Sequence, residues 1–364
     1  MPEVVQNTLY LLTPGTYVSR DHLTVIVETP VYPEELAPEA RVRAAATGVR
    51  KLSVPIHHLE SICLFGLGGI SPPALDLCWE HGVAVNYLTE NGYLQARMTG
   101  VADTSVTLRR AQFRAADDPA RATAIARHVV AGKIQNSRNS LLRAARESAG
   151  QEDGGALEAA AARLAQQIQA LAAEPCPLDL DQIRGAEGIA AQAYFSVFTL
   201  LLKQQRAAFA FGARSRRPPR DRINCLLSFL YALVRHDCVA ALTATGLDPF
   251  VGFLHADRPN RPALALDLME EFRPWLADRL AVTLVNRQQV APKDFDLRPG
   301  GAVELKDSAR RAVIKAYQER KQEQLVHPLL EQTFRLGQLP FVQARMLARH
   351  LRADIPAYIP FVPK

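Results

Sequence analysis

The sequence predicts an α+β protein, with a small β-rich domain over residues 1–100 and a larger all-α domain over residues 105–364. Two observations carry this prediction. The first hundred residues contain short runs rich in β-branched and aromatic residues between turn signals, whereas long segments with helical periodicity dominate after about residue 104. At 364 residues and 48% hydrophobic content, the chain can bury a sizeable core, and its length suits two domains.

The β-rich region begins with NTLYLL and YVSRDHLTVIVET, which a PG turn at 14–15 separates. KLSVPIHHLESICLFG adds one or two strands, and VAVNYLT and YLQARMTG read as a hairpin joined by ENG. GLGG at 66–69 leads into a short helix that Ser71 caps, with Pro72 in its first turn. No Lys-Ser/Thr pair follows the glycines, so this is a strand-to-helix turn and not a phosphate-binding loop.

The region after residue 104 reads as a succession of helices, and the three prolines of LRADIPAYIPFVPK end the last of them. One segment, 155–174, is rich in alanine, leucine, glutamine and glutamate, which are strong helix formers. The predicted helical segments are 105–116, 119–147, 155–174, 186–212, 221–245, 262–285 and 306–336.

Composition excludes several classes of protein. The net charge of +6 favours an anionic partner. The five cysteines are scattered and odd in number and show no C-x-x-C spacing, which argues against a zinc site or a disulfide framework and for reduced thiols in a cytoplasmic protein. The N-terminus lacks the pattern of a signal peptide, and no run approaches the roughly 18 uninterrupted apolar residues of a membrane span.

Three acids crowd together in ALALDLMEEF, where a predicted helix begins at Pro262. Glu270 and Glu271 follow Asp267 by three and four residues, so all three carboxylates share one face of that helix. Like charges at these spacings repel one another by roughly 0.2–0.5 kcal/mol per pair. A positive group is therefore expected beside them.

Two kinds of positive group suit these acids. His255 precedes Asp267 by 12 residues, across a proline-containing loop that can fold the imidazole over the acidic face. Carboxylates and one imidazole are a donor set for Mg²⁺ or Mn²⁺. The alternative is a helix whose acids pair with neighbouring arginines of the same stretch, namely Arg258, Arg261 or Arg273.

A fourth acid, Glu187, lies in GAEG at the head of an otherwise apolar segment. Its small neighbours would let a ligand or another backbone approach closely. The dipole of a helix N-terminus would also stabilise an acid there, so the residue is a candidate ligand or a satisfied helix-end acid.

Two basic stretches suit a phosphodiester substrate. A proline-stiffened loop precedes an apolar helix and carries guanidinium groups, which match phosphate geometry by paired hydrogen bonds. Asn224 and Ser228 lie four apart and can hydrogen-bond within the same site. The helix over 128–146 is basic and amphipathic, and its cations either contact nucleic acid or form a solvated face. The cations are Arg214, Arg216, Arg217, Arg220 and Arg222 in the loop and Lys133, Arg138, Arg143 and Arg146 in the helix.

Three separated stretches together resemble one known family. GAEGIAAQAYF, RRPPRDRINCLLSFLY and GLDPFVGFLHADRPNRPALALDLMEEFRP occur in the order and at the separations of the CRISPR-associated integrase-endonuclease of spacer acquisition, the "Cas one" family. KIQNSRNSLLR and LKDSARRAVIKAYQERK are similar to that family as well, so the resemblance runs from about residue 5 to residue 350. The opening strands and the segment around 30–47 are typical of its compact I-C subtype.

The resemblance implies a β-rich dimerisation domain, a helical catalytic domain and a homodimer. It further implies that two such dimers flank a dimer of the small "Cas two" partner on double-stranded DNA. A single Mg²⁺ or Mn²⁺ would be held by Glu187, His255 and Glu270, with Asp267 beside them as a further catalytic residue. Glu270 is preferred to Glu271 as the ligand because it lies three residues from Asp267.

The activity implied is integration by transesterification, in which the 3′-hydroxyl of captured DNA attacks a phosphate at a CRISPR repeat boundary. With water as the nucleophile the same site would cleave DNA. The basic loop, with Asn224 and Ser228, would hold the DNA backbone without reading bases. Two alternatives remain. One is a stand-alone metal-dependent nuclease for branched DNA or a transposon-type integrase with this catalytic domain, and the other is a non-catalytic DNA-binding scaffold whose acids are structural.

Overall fold

The computed structural model describes residues 8–32, 46–59, 61–89, 94–98, 106–148, 150, 152–172, 179–215 and 218–363. The chain divides into two compact units, residues 1–103 and 104–364. The first unit is built mainly from strands and the second mainly from helices, which confirms the predicted fold class.

The described residues of the first unit form two four-stranded sheets. One sheet has the order β1 (Thr8–Leu11), β5 (Ser61–Phe65), β7 (Ala84–Leu88) and β8 (Leu94–Met98). The other has the order β4 (Gly48–Pro55), β3 (Thr24–Val31), β2 (Tyr17–Asp21) and β6 (Gly69–Ile70). β7 and β8 pair antiparallel, which confirms the predicted hairpin.

A short helix, α1 (Pro72–Glu80), follows β6 at the position predicted for it. The hydroxyl of Ser71 accepts a hydrogen bond from the backbone N–H of Ala74 at 3.3 Å, so serine caps the helix as its sequence position indicated. Leu77 and Cys78 of α1 pack with the inner residues of the strands, among them Val18, to form the core of the unit.

Helices provide the framework of the second unit, and its two small antiparallel hairpins pair β9 (Phe295–Leu297) with β10 (Val303–Leu305) and β11 (Gln324–Val326) with β12 (Thr333–Arg335). A π-helical turn, Arg273–Asp278, lies between α7 and α8. The α-helices are α2 (Val106–Asp117), α3 (Pro119–Glu147), α4 (Glu152–Ala172), α5 (Leu180–Ser196), α6 (Arg222–Thr245), α7 (Ala263–Met269), α8 (Arg279–Asn286), α9 (Asp307–Gln322) and α10 (Leu339–Leu351).

Two predicted helices were too long, and a third is interrupted. The helix predicted over 186–212 ends at Ser196, and the one predicted over 306–336 ends at Gln322, before the β11–β12 hairpin. The helix predicted over 262–285 breaks after Met269 and resumes as a π-helical turn. Pro274 explains this break, because it has no N–H to donate to the carbonyl of Glu270.

Helix α6 crosses the core of the second unit. Within the described part of the chain it alone is long and apolar enough by composition to cross a membrane, with a mean hydropathy of 1.5. Because 78% of that apolar window is buried inside the protein, its apolar character is that of a core helix. It carries Asn224 and Ser228 near its N-terminus and Tyr231 one turn further on.

Candidate active site

Lys133 joins two acids that are distant in sequence. It lies in the middle of α3, its side chain is 13% exposed, and its ammonium forms ion pairs with Glu187 and with Glu270. The distance from Lys133 Nζ to Glu270 Oε2 is 2.7 Å. Glu187 lies two turns inside α5, too far from the N-terminus for the helix dipole to account for it, since that effect is confined to the first turn.

Glu270 is almost completely enclosed, at 1% exposure. The guanidinium of Arg273 lies 3.2 Å from its Oε1, and the imidazole Nε2 of His255 lies 3.9 Å from the same oxygen. Burial by itself raises the pKa of Glu270, but the charges of Arg273, Lys133 and His255 outweigh burial and hold the pKa at about 2. The carboxylate is therefore ionised at any physiological pH.

Asp267 anchors the loop that carries His255. Its carboxylate accepts hydrogen bonds from the backbone N–H groups of Phe253, Leu254 and His255, at 2.6, 3.0 and 3.0 Å. It also lies 2.6 Å from Nδ1 of the His255 ring. A carboxylate only accepts, so Nδ1 donates this hydrogen bond, and in the neutral form of the ring the lone pair is then on Nε2. Asp267 thus orients the imidazole through its own side chain.

Glycine at position 252 is what lets the loop approach Asp267 so closely. A Cβ built on Gly252 would lie 2.8 Å from Asp267 Oδ2 and 2.9 Å from the backbone of Ala263, which is closer than real Cβ contacts. The loop is also held from outside, because the guanidinium of Arg184 donates to the carbonyl of Leu254 at 2.7 Å. The position of His255 is therefore fixed by α5 as well as by α7.

Glu271, the neighbour of Glu270, faces a different set of partners. Its Oε1 accepts a hydrogen bond from the Tyr358 hydroxyl at 2.5 Å, and its Oε2 accepts from the backbone N–H of Phe361 and from the amide of Gln343. Burial raises its pKa to about 8, against the opposing effect of these hydrogen bonds. The structure thus brings Glu270, and not Glu271, to Glu187 and His255.

The arginine loop contributes one guanidinium to the same region. Arg214 donates to Asn224 Oδ1 at 2.6 Å and to the hydroxyl of Ser228 at 3.1 Å. Its guanidinium and that of Arg273 lie over the ring of Tyr231, at 5.3 and 4.8 Å from the ring centroid. Arg214 lines the same small cavity as Lys133, Glu187 and Arg273, so the four charges surround one space.

The other residues predicted to contact DNA differ in their burial and in their hydrogen-bond partners. Asn224 is fully buried and its amide bonds to Arg214, Ala213 and Asp221, so it positions the arginine and does not reach a DNA backbone. Arg222 is half-buried and donates to the carbonyl of Ala208. Arg220 is exposed. Arg216 and Arg217 lie outside the described residues.

A further buried carboxylate, Asp278, lines this cavity. It accepts hydrogen bonds from the hydroxyls of Tyr231 and Tyr194, at 2.6 and 3.1 Å. Burial raises its pKa to about 6, and the two hydroxyls and nearby arginines only partly oppose that rise. His255 also lines a groove of about 1050 Å³, together with Arg127 and Arg184.

The residue types of the predicted metal ligands suit a divalent cation, but in this structure Glu187 and Glu270 form ion pairs with Lys133. In the described part of the chain, no three His, Cys, Asp or Glu side chains are arranged as a metal cage. Both oxygens of Glu270 are buried without a well-aligned hydrogen bond, and with Glu187 and the lone pair of His255 they form a donor set for Mg²⁺ or Mn²⁺. Lys133 would compete with the ion for the two carboxylates.

Lys133, Tyr231 and Asp278 are site residues that the sequence analysis did not assign to the site. Lys133 appeared only as one cation of a basic amphipathic helix. One signal in the sequence could have identified it, because it lies next to Gly132 and three residues before Asn136, both on the buried face of α3. Tyr231 lies one turn after Ser228 and two turns after Asn224 on the same helix face.

Comparison with known proteins identifies the family to which this chain belongs. The family described as "CRISPR associated protein Cas1" matches residues 9–319. The chain belongs to the Cas1 family. It is 46% identical over 359 residues to the "CRISPR-associated endonuclease Cas1 1" of Moorella thermoacetica, covering 99% of each chain. It is 44% identical to the protein of the same description from Chlorobaculum tepidum, with 98% of each chain covered.

Solved structures support the fold independently. The chain matches "Casposase bound to integration product" with a TM-score of 0.79 at 20% identity, covering 97% of this chain and 93% of that one. It matches a Cas1 protein from Thermotoga maritima with a TM-score of 0.75 at 22% identity, covering 98% and 100%. These likenesses establish a Cas1 fold. The I-C subtype stays a prediction.

Proposed function

We propose that the chain is a metal-dependent DNA nuclease and integrase of CRISPR adaptation, which joins the 3′-hydroxyl ends of captured DNA into a repeat array. The observation that carries the proposal is the convergence of Glu187, Glu270 and His255 beside the guanidinium groups of Arg273 and Arg214. The relatives are named CRISPR-associated endonucleases, and membership of the Cas1 family favours that activity here.

Glu187, Glu270 and Nε2 of His255 would hold one Mg²⁺ or Mn²⁺. When bound, the ion supplies Lewis-acid polarisation of a phosphate and orients the attacking oxygen. Asp267 keeps Nδ1 of His255 protonated, so that Nε2 faces the acids with its lone pair. Such an outer partner of a histidine ligand contributes about 10- to 100-fold to metal affinity or activity.

Arg273 and Arg214 would bind the non-bridging oxygens of the reacting phosphate. Asn224 and Ser228 already orient Arg214, and the ring of Tyr231 lies against both guanidinium groups. Little side-chain conformational entropy is therefore lost on binding. In the joining reaction a 3′-hydroxyl forms a new phosphodiester bond, and the 3′-oxygen of the repeat strand leaves with a proton. One phosphodiester replaces another, so no nucleotide cofactor is required.

The partners follow from the same family membership. The fold matches a chain titled "Cas6-RT-Cas1--Cas2 complex" with a TM-score of 0.77 at 23% identity, which favours a Cas2 partner for this chain. A homodimer through the β-rich unit is favoured by β4, an edge strand whose Val49 and Leu52 are 58% and 52% exposed. The four described cysteines are free thiols, in keeping with the reducing cytoplasm.

The test is strand transfer of a labelled 3′-hydroxyl DNA fragment into a repeat-bearing plasmid, with Cas2 present, in Mn²⁺ or in EDTA. Wild type is compared with Glu187→Gln and His255→Ala, and with Glu158→Gln, at an exposed position of α4, as the matched control. Metal-dependent joining that both site variants lose and the control retains supports the proposal. Joining that survives both site substitutions would refute the site, and folded wild type that binds DNA without joining would point to a scaffold.

A further inference from the structure

Lys133 lies between two carboxylates on one side and two guanidinium groups on the other. Its ammonium forms ion pairs with Glu187 and with Glu270, which are two of the proposed metal ligands. The residue also lines a cavity of about 50 Å³, together with Arg214 and Arg273. Lys133 is therefore within reach both of the acids and of any anion that enters the cavity.

The ion pairs around these two carboxylates are balanced in charge. Lys133 and Arg273 supply two positive charges, and Glu187 and Glu270 supply two negative ones. A divalent cation on the carboxylates would add two positive charges where Glu270 is only 1% exposed, and uncompensated charge in such surroundings is costly. Taking up the cation therefore favours the release of an ammonium from the carboxylates and the arrival of an anion.

The cavity already has a donor suited to that anion. Within the part of the chain that the structure describes, Nε of Arg273 is buried without a hydrogen-bond acceptor. Arg214 lines the same cavity, so two guanidinium groups and one ammonium converge on it. Phosphate oxygens are the acceptors that such groups bind best. A phosphate in the cavity would therefore give Lys133 an alternative partner to the carboxylates.

The backbone at Lys133 is held in place, which leaves its side chain as the part that can move. A Cβ built on the neighbouring Gly132 would lie 2.5 Å from Cβ of Pro360, so α3 and the C-terminal segment are in very close contact there. One turn after Gly132, the amide of Asn136 donates to the carbonyl of Phe361 at 2.8 Å. Because lysine carries its charge on a flexible four-carbon stem, the ammonium can change partners while α3 stays fixed.

We propose that Lys133 exchanges its two carboxylate partners for a phosphate of the DNA backbone when Glu187 and Glu270 take up a divalent cation. The inference rests on the proposed function, because it uses the same metal ligands and the same class of substrate. The exchange makes the binding of cation and of DNA cooperative. By thermodynamic linkage, each then raises the equilibrium affinity for the other by the same factor.

The first measurement is the affinity for Mn²⁺ in the absence of DNA, obtained from the electron paramagnetic resonance signal of the free ion. Lys133→Met removes the ammonium and keeps a side chain of similar length. Its affinity for Mn²⁺ is expected to rise at least about tenfold, because a positive charge within ion-pair distance of the carboxylates is gone. Lys133→Arg keeps the charge and should bind Mn²⁺ as wild type does. Lys293→Met, at an exposed position of the same unit, is the matched control.

The second measurement is the affinity for DNA in Mn²⁺ and in EDTA at equal ionic strength. A labelled fragment that ends in a 3′-dideoxynucleotide has no attacking hydroxyl, and fluorescence anisotropy reports its binding. Wild type is expected to bind the fragment about 5- to 150-fold more tightly in Mn²⁺. Lys133→Met is expected to show a smaller gain, because only the direct attraction between cation and phosphate remains. An equal gain in both proteins would overturn the exchange.

A second neutral variant, Lys133→Gln, guards against a misfolded Lys133→Met, and urea unfolding establishes that each variant is folded. If wild type joins DNA while both neutral variants bind Mn²⁺ no more tightly than wild type, the exchange is refuted and the integrase proposal stands. If joining fails in every assay, but both neutral variants bind Mn²⁺ more tightly and gain less DNA affinity from it, the exchange stands and the integrase proposal does not.

Discussion

Glu270 and Glu271 are consecutive and almost equally enclosed, at 1% and 2% exposure, yet their pKa values are shifted in opposite directions. Glu270 lies among cations such as Lys133, and its pKa is held at about 2. Glu271 lies among neutral donors such as the hydroxyl of Tyr358, and its pKa is raised to about 8. Burial acts on both in the same direction, so the charge of the partners decides the outcome.

The break in the helix after Met269 affects the surroundings of the carboxylates that follow it. It directs adjacent carboxylates toward different partners, one to α3 and α5 and the other to the C-terminal residues. Asp278, at the end of the π-helical turn, resembles Glu271, since two tyrosine hydroxyls are its hydrogen-bond donors. One short segment thus holds one carboxylate among cations, at the proposed metal site, and two among neutral hydrogen-bond donors.

The largest expected effect is on catalysis, and it separates the two neighbours. Glu270→Gln removes the charge that faces Lys133 and Arg273, so metal-dependent DNA joining is expected to fall by more than about 100-fold, beyond the loss typical of outer-shell partners. Glu271→Gln removes a charge that burial already opposes, and it is expected to retain most activity. The measurement is the initial rate of strand transfer in Mn²⁺.

Urea unfolding of both variants serves as the control for that experiment, because Glu270→Gln leaves two cations without their buried partner and also lowers stability. Equal losses of activity in two folded variants would contradict the distinction between the neighbours.

The next effect concerns Asp267, which holds a histidine and not an ion. Asp267→Asn leaves one oxygen for three backbone N–H groups and disturbs the hydrogen bond to His255 Nδ1. Activity is expected to fall about 10- to 100-fold, with a stability loss of about 1–3 kcal/mol. Strand transfer and urea unfolding measure the two losses. Asp76→Asn, at an exposed position of the other unit, is the matched control; unchanged activity in Asp267→Asn would show that His255 needs no orienting partner.

A pH series tests whether a buried carboxylate with neutral hydrogen-bond donors has a raised pKa, with Asp278 as the example. Because its folded-state pKa is raised from 3.8 to about 6, its contribution to stability is complete below pH 3.8 and is lost as pH rises through 6. Wild type should therefore lose about 2 kcal/mol of unfolding free energy, relative to Asp278→Asn, between about pH 4 and pH 7. Urea unfolding at both pH values gives the difference, and parallel curves for the two proteins would refute it.

The smallest effect comes from an exposed pair on the same helix as Lys133. Arg143 and Glu147 lie 3.0 Å apart in α3, with side chains 55% and 58% exposed. Glu147→Gln is expected to change the free energy of unfolding by less than about 0.5 kcal/mol, because water and salt screen the pair. Thermal unfolding measures it, and a loss comparable to that of Glu270→Gln would mean that burial does not distinguish the two ion pairs.

The sequence predicted what depends on local spacing. The α+β class, the cap at Ser71 and the β7–β8 hairpin follow from residues close together in the chain, and the structure has all three. The motif GFLH and the acids after it were placed in one site, and the structure brings His255 to within 3.9 Å of Glu270. That Glu187 joins them came from the family resemblance, not from spacing.

What the sequence missed depends on partners far along the chain. The spacing of three and four residues placed Glu270 and Glu271 together on one face, but that argument assumes a continuous helix, and Pro274 ends the regular hydrogen bonding there. The partners of Glu271 lie 72 to 90 residues later. The role of Lys133 could not be predicted, because a lysine on an amphipathic helix is expected to face solvent unless its neighbours in space are known.

The hydrogen bonds of Glu271 to Tyr358 and Phe361 also set an order of events during synthesis. These partners are made 87 and 90 residues after the glutamate. At translation rates of about 5–20 residues per second, Glu271 waits roughly 5–20 s for them. During that interval Glu270 and Lys133 already exist on the growing chain, but the neighbouring carboxylate has no partner. The helical unit is therefore completed last by a segment that carries none of the proposed catalytic residues.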